Sequence, residues 1–563
     1  MATPLQTLLV RAPSFEGLNT EDSPLGQALT FALSADNAVI DRLGRLGSRL
    51  AFAKDTDSIP TTETVLTETV RTEKNITQMG GGDINGKYVI LCVVVVDQYN
   101  KENEVIRQDY FVCRRDDDVL TPLNMPPGIP DRTEIGRADI VYFNDKLYLF
   151  SNGNPALIYD DTADALSSMS AETNWLPPQD DNGVIATEID GDIALPAYGR
   201  MWISGVDGDY NRIYYSDLLI ANQWYDGRAE PADTQNTGGI IDVSEFWPNG
   251  GDRIISLAAH NNFLIVFGRE SILVYANAAS GDPAAEGGIF LQDSMMNLGS
   301  VGRDAVVNTG SDVLFVDDSG IRSLSRTIQE KSVPIGDISR NVRGDIRRVI
   351  AESEQQRIEL SYWPSESVIV CLFPDSAQAF VASATQPSAT GGLKMTKWNR
   401  CFFNKMHYYE NQGTTAVYLG GNTDQNGLLT YKGYTEWNDQ AFTFKYSSMP
   451  LDFGEPARDK FMKSIDYTIF SLLEETSATA RWGYDGNLSR KKAIDIDALI
   501  PAYYNEATFG DTTFGASGST IRRYRVNTRG SGSMARIGLD VKILGNEVSV
   551  QEINVQTLLG RIN

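Results

Sequence analysis

Six short strand-like segments with an apolar or aromatic centre recur along the chain at nearly constant intervals, and this recurrence restricts the fold more than any other feature. They are Leu147-Tyr148-Leu149, Met201-Trp202-Ile203, Leu264-Ile265-Val266, Val313-Leu314-Phe315, Val368-Ile369-Val370 and Val417-Tyr418-Leu419, with centres 54, 63, 49, 55 and 49 residues apart. Such a period marks a repeat architecture, in which no unit buries its apolar face alone. Most segments follow a turn element (Asn144-Asp145, Gly199-Arg200, Asn261-Asn262, Gly310-Ser311-Asp312), and several lead into a further strand, as in RIYYSD, ILVYANA and IRSLS. Brief antiparallel strands joined by tight turns build propeller blades. The chain is therefore predicted to be all-β: a β-propeller of about six blades over 135–445, flanked by antiparallel, sandwich-like platform domains. Unrelated hairpins in sandwich domains are the competing reading, because the repeats share spacing but little identity.

The flanks follow from composition shifts. The Pro-rich segment 121–131 (TPLNMPPGIPD) breaks the chain, so 1–134 is read as an N-terminal arm and β domain. Within it, Leu25 to Leu46 reads as a short helix and turn, GGGDING (80–86) as a turn, and the run Tyr88 to Val96 as a buried strand whose partner is VIRQDYFVCRR. The region 446–563 carries alternating runs at 461–471 and 533–543 and reads as a C-terminal β platform, with EINVQTLLGRIN as a terminal arm or a fraying end.

Only two histidines, His260 and His407, are present, too few for a three-His zinc site or a two-His facial triad, and both read as turn or surface imidazoles. Cys92, Cys113, Cys371 and Cys401 form no C-x-x-C and read as free buried thiols suited to a reducing cytoplasm, with a Cys92–Cys113 bond left open. The N-terminus MATPLQTLLVRAPSFEG lacks the pattern of a secretory signal, and the longest apolar run is far short of a membrane helix. Asp207-x-Asp209-x-Asn211 opens like a calcium loop but has Arg212 and Leu218 where an EF-hand needs Gly and Glu. Gly80-Gly81-Gly82 has no P-loop Lys-Ser/Thr after it. No cofactor or metal is expected. Among 74 acidic residues a glycosidase pair cannot be singled out, and neither Ser-x-Asp-x-Gly-x-x-Trp boxes nor an Arg triad is present, so no enzyme is expected.

The charge is the second constraint: 74 Asp+Glu against 49 Lys+Arg give −25, which disfavours binding to nucleic acid. The same repulsion suits a surface past which DNA slides.

Two stretches go further. The opening SFEGLNTEDSPLGQALTFALSADNAVIDRLGRLGSR (14–49) resembles the start of structural proteins of tailed bacteriophages. AYGRMWISGVDGDYNRIYYSDLLIANQW (197–224), GGIIDVSEFWPNGGDRIISLAAHNNFLIVFGRESILVYANAASGDP (238–283) and SVGRDAVVNTGSDVLFVDDSGIRSL (300–324) resemble the tail nozzle, or tail tubular protein B-like, family of short-tailed phages. The resemblance implies a virion structural protein, assembled in the host cytoplasm into a hexameric homo-oligomer below portal and adaptor. Its partners would be the tail adaptor protein and tail fibre or spike proteins, and double-stranded DNA would pass non-specifically through its channel. It implies no catalytic residues. Six copies at −25 each would put −150 around that channel. The acidic turns Asp116-Asp117-Asp118, Asp180-Asp181 and Asp207-Gly-Asp209 are the expected channel lining. A propeller adhesin or depolymerase acting on host surface glycan, and a head-to-tail stopper, are the alternatives.

Overall fold

In a computed structural model the described residues are 5–562 without 25–29, 57–68, 127–134, 136–137, 181–182, 185, 225–236, 282, 284–286, 326–336, 412, 423–426, 472–475 and 497–519. The chain is all-β and a propeller, and seven small antiparallel sheets make the ring. Blade 1 comprises Arg71–Ile84, Lys87–Tyr99, Val105–Asp116 and Val119–Pro122. Blades 2, 3 and 4 begin at Ala138–Phe143, Ile193–Ala197 and Ser256–His260, and each has four strands in sequence order. Blade 5 has three described strands, beginning at Val306–Asn308. Blade 6 begins at Glu359–Trp363 and blade 7 at Phe403–Asn411. The first strand of each blade packs on the first strand of the next, and that of blade 7 packs back on that of blade 1, which closes the ring.

The local cause is a repeated hairpin. Between the first two strands of blades 1 to 4 stand, in order, Asn85-Gly86, Asn144-Asp145, Tyr198-Gly199 and Asn261-Asn262, all with positive φ. Two residues in the left-handed region make the type I′ turn whose twist matches the strands it joins. The six apolar centres of the sequence all lie on second strands, which run between two sheet neighbours and are mostly buried. The Tyr88 to Val96 run is the same element of blade 1, and its centre, Cys92, lies 56 residues before Tyr148. Because the first strand of blade 1 packs between those of blades 2 and 7, 71–122 belongs to the ring and not to an independent N-terminal domain, despite the Pro-rich segment that follows it.

Blade 7 is completed from the far end of the sequence: Phe52–Lys54 pairs with Leu428–Tyr431. The remaining N-terminal residues enter the platform. Leu5–Arg11 pairs with Val548–Ile562, which also pairs with Arg458–Ser471. EINVQTLLGRIN is thus central strand, not a free arm. The segment Leu25 to Leu46 forms no helix where it is described; Phe31–Asp36 and Ala38–Ile40 are strands. The α-helix Arg343–Glu352 packs Ile346, Val349 and Ile350 inward.

Blade 6 does not end at the ring. Its outer strand, Leu393–Asn399, pairs with Gly17–Leu18 and Phe31–Asp36, and the sheet runs on through Phe442–Ser448, Ala535–Ile543 and Thr476–Tyr484 to Arg490–Ile496, ten strands in all. Gly17, at φ +79, approaches the Met395 backbone so closely that a Cβ would collide with it. Ring and platform therefore share one hydrogen-bonded sheet and one core, which includes Ile369, Phe380, Tyr446, Ile465 and Leu539.

Gly80-Gly81-Gly82 is not a turn. It lies inside the first strand of blade 1, where Cβ atoms at Gly80 and Gly82 would overlap Ile140 and Tyr142 of blade 2, and one at Gly81 would meet Tyr88 and His407. Glycine lets the blades close on each other.

Candidate functional site

At one end of the ring axis, where the first strands of blades 2, 5, 6 and 7 begin, lies a cavity of about 520 Å³. Its floor is charged. Arg303 and Asp304 immediately precede the first strand of blade 5, and Lys405 lies near the start of that of blade 7. Arg303 donates from Nε to Asp304 Oδ1 at 2.8 Å and from Nη2 to Oδ2 at 3.2 Å, and from Nη1 to the Asp192 carbonyl at 2.8 Å. Lys405 Nζ donates to Asp304 Oδ2. Burial works against ionisation of Asp304, but the charges of Arg303 and Lys405 outweigh it and hold the carboxyl far below its usual range.

Next to this ionised group is a carboxyl held in the opposite state. Glu359 opens the first strand of blade 6, and both its oxygens accept from the Met406 N–H at 3.1 Å. Burial pushes it up to about 8, with Asp304 adding and Lys405 opposing. Asp139 of blade 2 is also raised, chiefly by burial; it accepts from the Ala194 N–H at 3.1 Å and faces Gln78 Nε2 at 3.5 Å.

Blade 1 supplies the wall. Its long strands put Thr77, Gln78, Val95, Asp97, Gln108 and Tyr110 against the cavity. Gln108 is fixed between Asp97, to which it donates at 2.7 Å, and the Tyr110 hydroxyl, from which it accepts at 2.6 Å. Burial raises Asp97 despite that bond. At the rim Arg357 is paired with Asp375 at 2.5 Å and donates to Asn404 Oδ1 at 3.0 Å. Gln78 is only 7% exposed, and its Oε1 meets no hydrogen-bond donor among the described residues.

None of this was found in the sequence. The residues come from five blades, and outside blade 1 the signal that marks them is positional: polar side chains just before, or near the opening of, a first strand. Arg303 and Asp304 lie within the phrase SVGRDAVV.

The acidic turns named from the sequence stand elsewhere. Asp116, Asp117 and Asp118 form the exposed outer turn of blade 1, with Asp117 at φ 48 and Arg114 paired to Asp116 at 3.2 Å. Asp207 and Asp209 are in the blade 3 turn, where the Asp207 N–H donates to Asp190 at 2.7 Å and Asp209 accepts from the Asn211 N–H at 2.9 Å. Asp180 ends the short strand Gln179–Asp180, and Asp181 lies outside the described residues. None of the described residues of these turns lines the axial cavity.

His407 is no surface imidazole: it meets the Tyr88 hydroxyl at 2.5 Å, stacks on that ring, and burial lowers it to about 4. His260 lies at a hairpin end beside Asn261. All four cysteines are free and buried, although Cys92 and Cys113 are direct cross-strand partners. Among the described residues no helix is long and apolar enough to cross a membrane, and no group of three or more His, Cys, Asp or Glu is placed to hold a metal.

No family model matches the chain, and no curated protein does. Solved structures do. PorZ of Porphyromonas gingivalis, a bacterial surface component of the type-IX secretion system, is 12% identical at a TM-score of 0.32; the match covers 68% of this chain and spans 37% of PorZ. Hsv2 of Kluyveromyces lactis is 10% identical at 0.27, covering 62% of this chain and 98% of that one. An exo-β-1,3-galactanase from Phanerochaete chrysosporium is 9% identical at 0.25, covering 90% and 99%. At these values the likeness reaches the fold class and nothing beyond it. The expectation that the chain is no enzyme is corrected: one of these neighbours is an exo-β-1,3-galactanase.

Proposed function

We propose that this β-propeller protein is a tail nozzle subunit of a short-tailed bacteriophage, one of six copies forming a ring below portal and adaptor, with an acidic channel for genome ejection. The observation that carries the reading is the ten-stranded sheet that runs from blade 6 into the platform, threaded by the 14–49 segment that resembles tail proteins. A subunit of a tube under load needs ring and platform without a hinge, and a shared sheet and core supply that. In this reading the turns at Asp116, Asp180 and Asp207 are where channel charge is sought. The test is the mass of the native particle together with electron microscopy: six 62.0 kDa chains make about 370 kDa with sixfold symmetry. A chain that stays monomeric both alone and with portal–adaptor complexes would overturn it.

A second reading, a propeller acting on host surface glycan, is favoured by the axial cavity. Two neighbouring carboxyls pushed to opposite protonation states, Asp304 ionised and Glu359 protonated at neutral pH, are the arrangement that carboxylate acid/base chemistry uses. Turnover of capsular glycan by the purified chain, lost in Asp304→Asn, supports this reading; no turnover of any capsular glycan removes it.

A further inference from the structure

The geometry points to the axial cavity as a binding site for a neutral, polyhydroxylated ligand, a mono- or disaccharide unit, held by Gln78 and Lys405 and packed on Tyr110. The inference rests on the cavity invoked in the second reading above, and it concerns binding, whether or not a glycan is turned over.

Charge selects the ligand class first. The cations facing the cavity do not stand alone: Arg303 and Lys405 share Asp304, Arg357 pairs with Asp375, and Asp97 and Glu354 also line the wall, so charges of both signs are already in place. An anion would have to compete with carboxylates in place, and a cation with the ammonium and guanidinium groups in place. A neutral ligand meets neither cost.

Hydrogen bonding selects within neutral ligands. Gln78 Oε1 is a buried acceptor without a donor, a state that costs free energy until something donates to it. Lys405 gives one of its three N–H donors to Asp304. A ligand that satisfies the floor must donate to one and accept from the other. A hydroxyl does both, and a ring carrying several hydroxyls can do so at several points of a wall built from Asn, Gln and Thr side chains. The apolar share of the wall, Val95, Tyr110, Ile135 and Ala138, is what the C–H face of a sugar ring packs on. The volume lies within the range of small-molecule sites.

The experiment is isothermal titration calorimetry of the full chain with lactose, maltose and N,N′-diacetylchitobiose, and with inorganic phosphate as the charged probe. At least one disaccharide is expected to bind with a millimolar or tighter Kd, and phosphate is not. Gln78→Leu should weaken that binding by about tenfold, the loss of one hydrogen bond, and because it also removes the Nε2 donor facing Asp139, a melting curve taken beside it separates lost binding from lost folding. Tyr110→Leu, which removes the packing face, is the second variant and should weaken binding too. Binding of none of the three sugars, binding unchanged in both variants, or a preference for phosphate would each overturn the inference. Sugar binding without turnover would leave it standing while the catalytic reading falls.

Discussion

Glu359 turns the axial charge network into a pH-dependent stability that can be measured. Its carboxyl is moved from 4.5 to about 8, mainly by burial. A carboxyl whose pKa is raised by folding contributes stability that is fully present below its unfolded value and is lost as pH rises through the folded one. Between pH 4.5 and about 8 the folded state should therefore lose up to about 1.4 kcal/mol per pH unit from this group, about 5 kcal/mol over the whole window. Glu359→Gln keeps the shape and an oxygen to accept the Met406 N–H while removing the titration. The wild type and the variant should have similar urea midpoints at pH 5, and the variant should be the more stable by several kcal/mol at pH 9. Intrinsic fluorescence reads this difference at each pH, and the comparison between the two proteins does not require the whole chain to unfold in one step. A difference that is constant with pH, or a variant that weakens as pH rises, would refute the assignment of a protonated Glu359.

Gly82→Ala should lower the melting temperature by the equivalent of about 1–3 kcal/mol, since the new methyl overlaps the Tyr142 ring where blades 1 and 2 meet; an unchanged melting curve would remove blade 1 from the ring. Arg49→Met should cost about 3–5 kcal/mol by leaving Glu436 buried without its cation, and adding Glu436→Gln should restore part of it in a double-mutant cycle. The His407 imidazole, lowered to about 4, supplies stability that is present above its unfolded value near 6.5 and is lost as pH falls through 4, so its NMR signals should stay those of a neutral ring at pH 5.5.

What the sequence revealed was the repeat, because second strands are buried on both faces and must be apolar whatever else the blade does. Blade 1 escaped that count: its second strand carries an apolar run longer than the others, and the Pro-rich segment after it looked like a border. The glycines at 80–82 misled for a related reason. Glycine in a row signals a turn when only local backbone freedom is considered, whereas here it answers the approach of the neighbouring blade's Ile140 and Tyr142. The residues around the axial cavity were invisible for a different reason. Gln78, Arg303, Glu359 and Lys405 belong to four blades, and no short-range spacing relates them. His407 shows the same limit: its partner, Tyr88, is contributed by blade 1. Acidic turns, by contrast, are conspicuous in sequence because Asp suits turns anywhere, so their presence says little about where a site lies.

The N-terminal fifty residues show why ring and platform are one unit. Arg49, fully buried, lies over the Phe52 ring at 3.9 Å and the Phe442 ring at 4.2 Å, pairs with Glu436 at 2.7 Å, and donates to Asn37 Oδ1 at 3.1 Å and to the Leu50 carbonyl at 2.8 Å. Phe52 belongs to the strand that completes blade 7, and Phe442 to the platform strand that continues the blade 6 sheet. A guanidinium held between two such rings reports on both bodies at once. Closing the ring places Phe52 in the cluster of Trp363, Trp398, Phe403 and Tyr431 between blades 6 and 7. The same step brings Arg49 to the platform. Ring closure and platform docking are therefore coupled through three consecutive turns of chain logic: a strand that fills a blade, a cation beside it, and a carboxylate across from it. A perturbation at Glu436 should loosen the last blade as well as the platform, which two separate domains joined by a linker would not do.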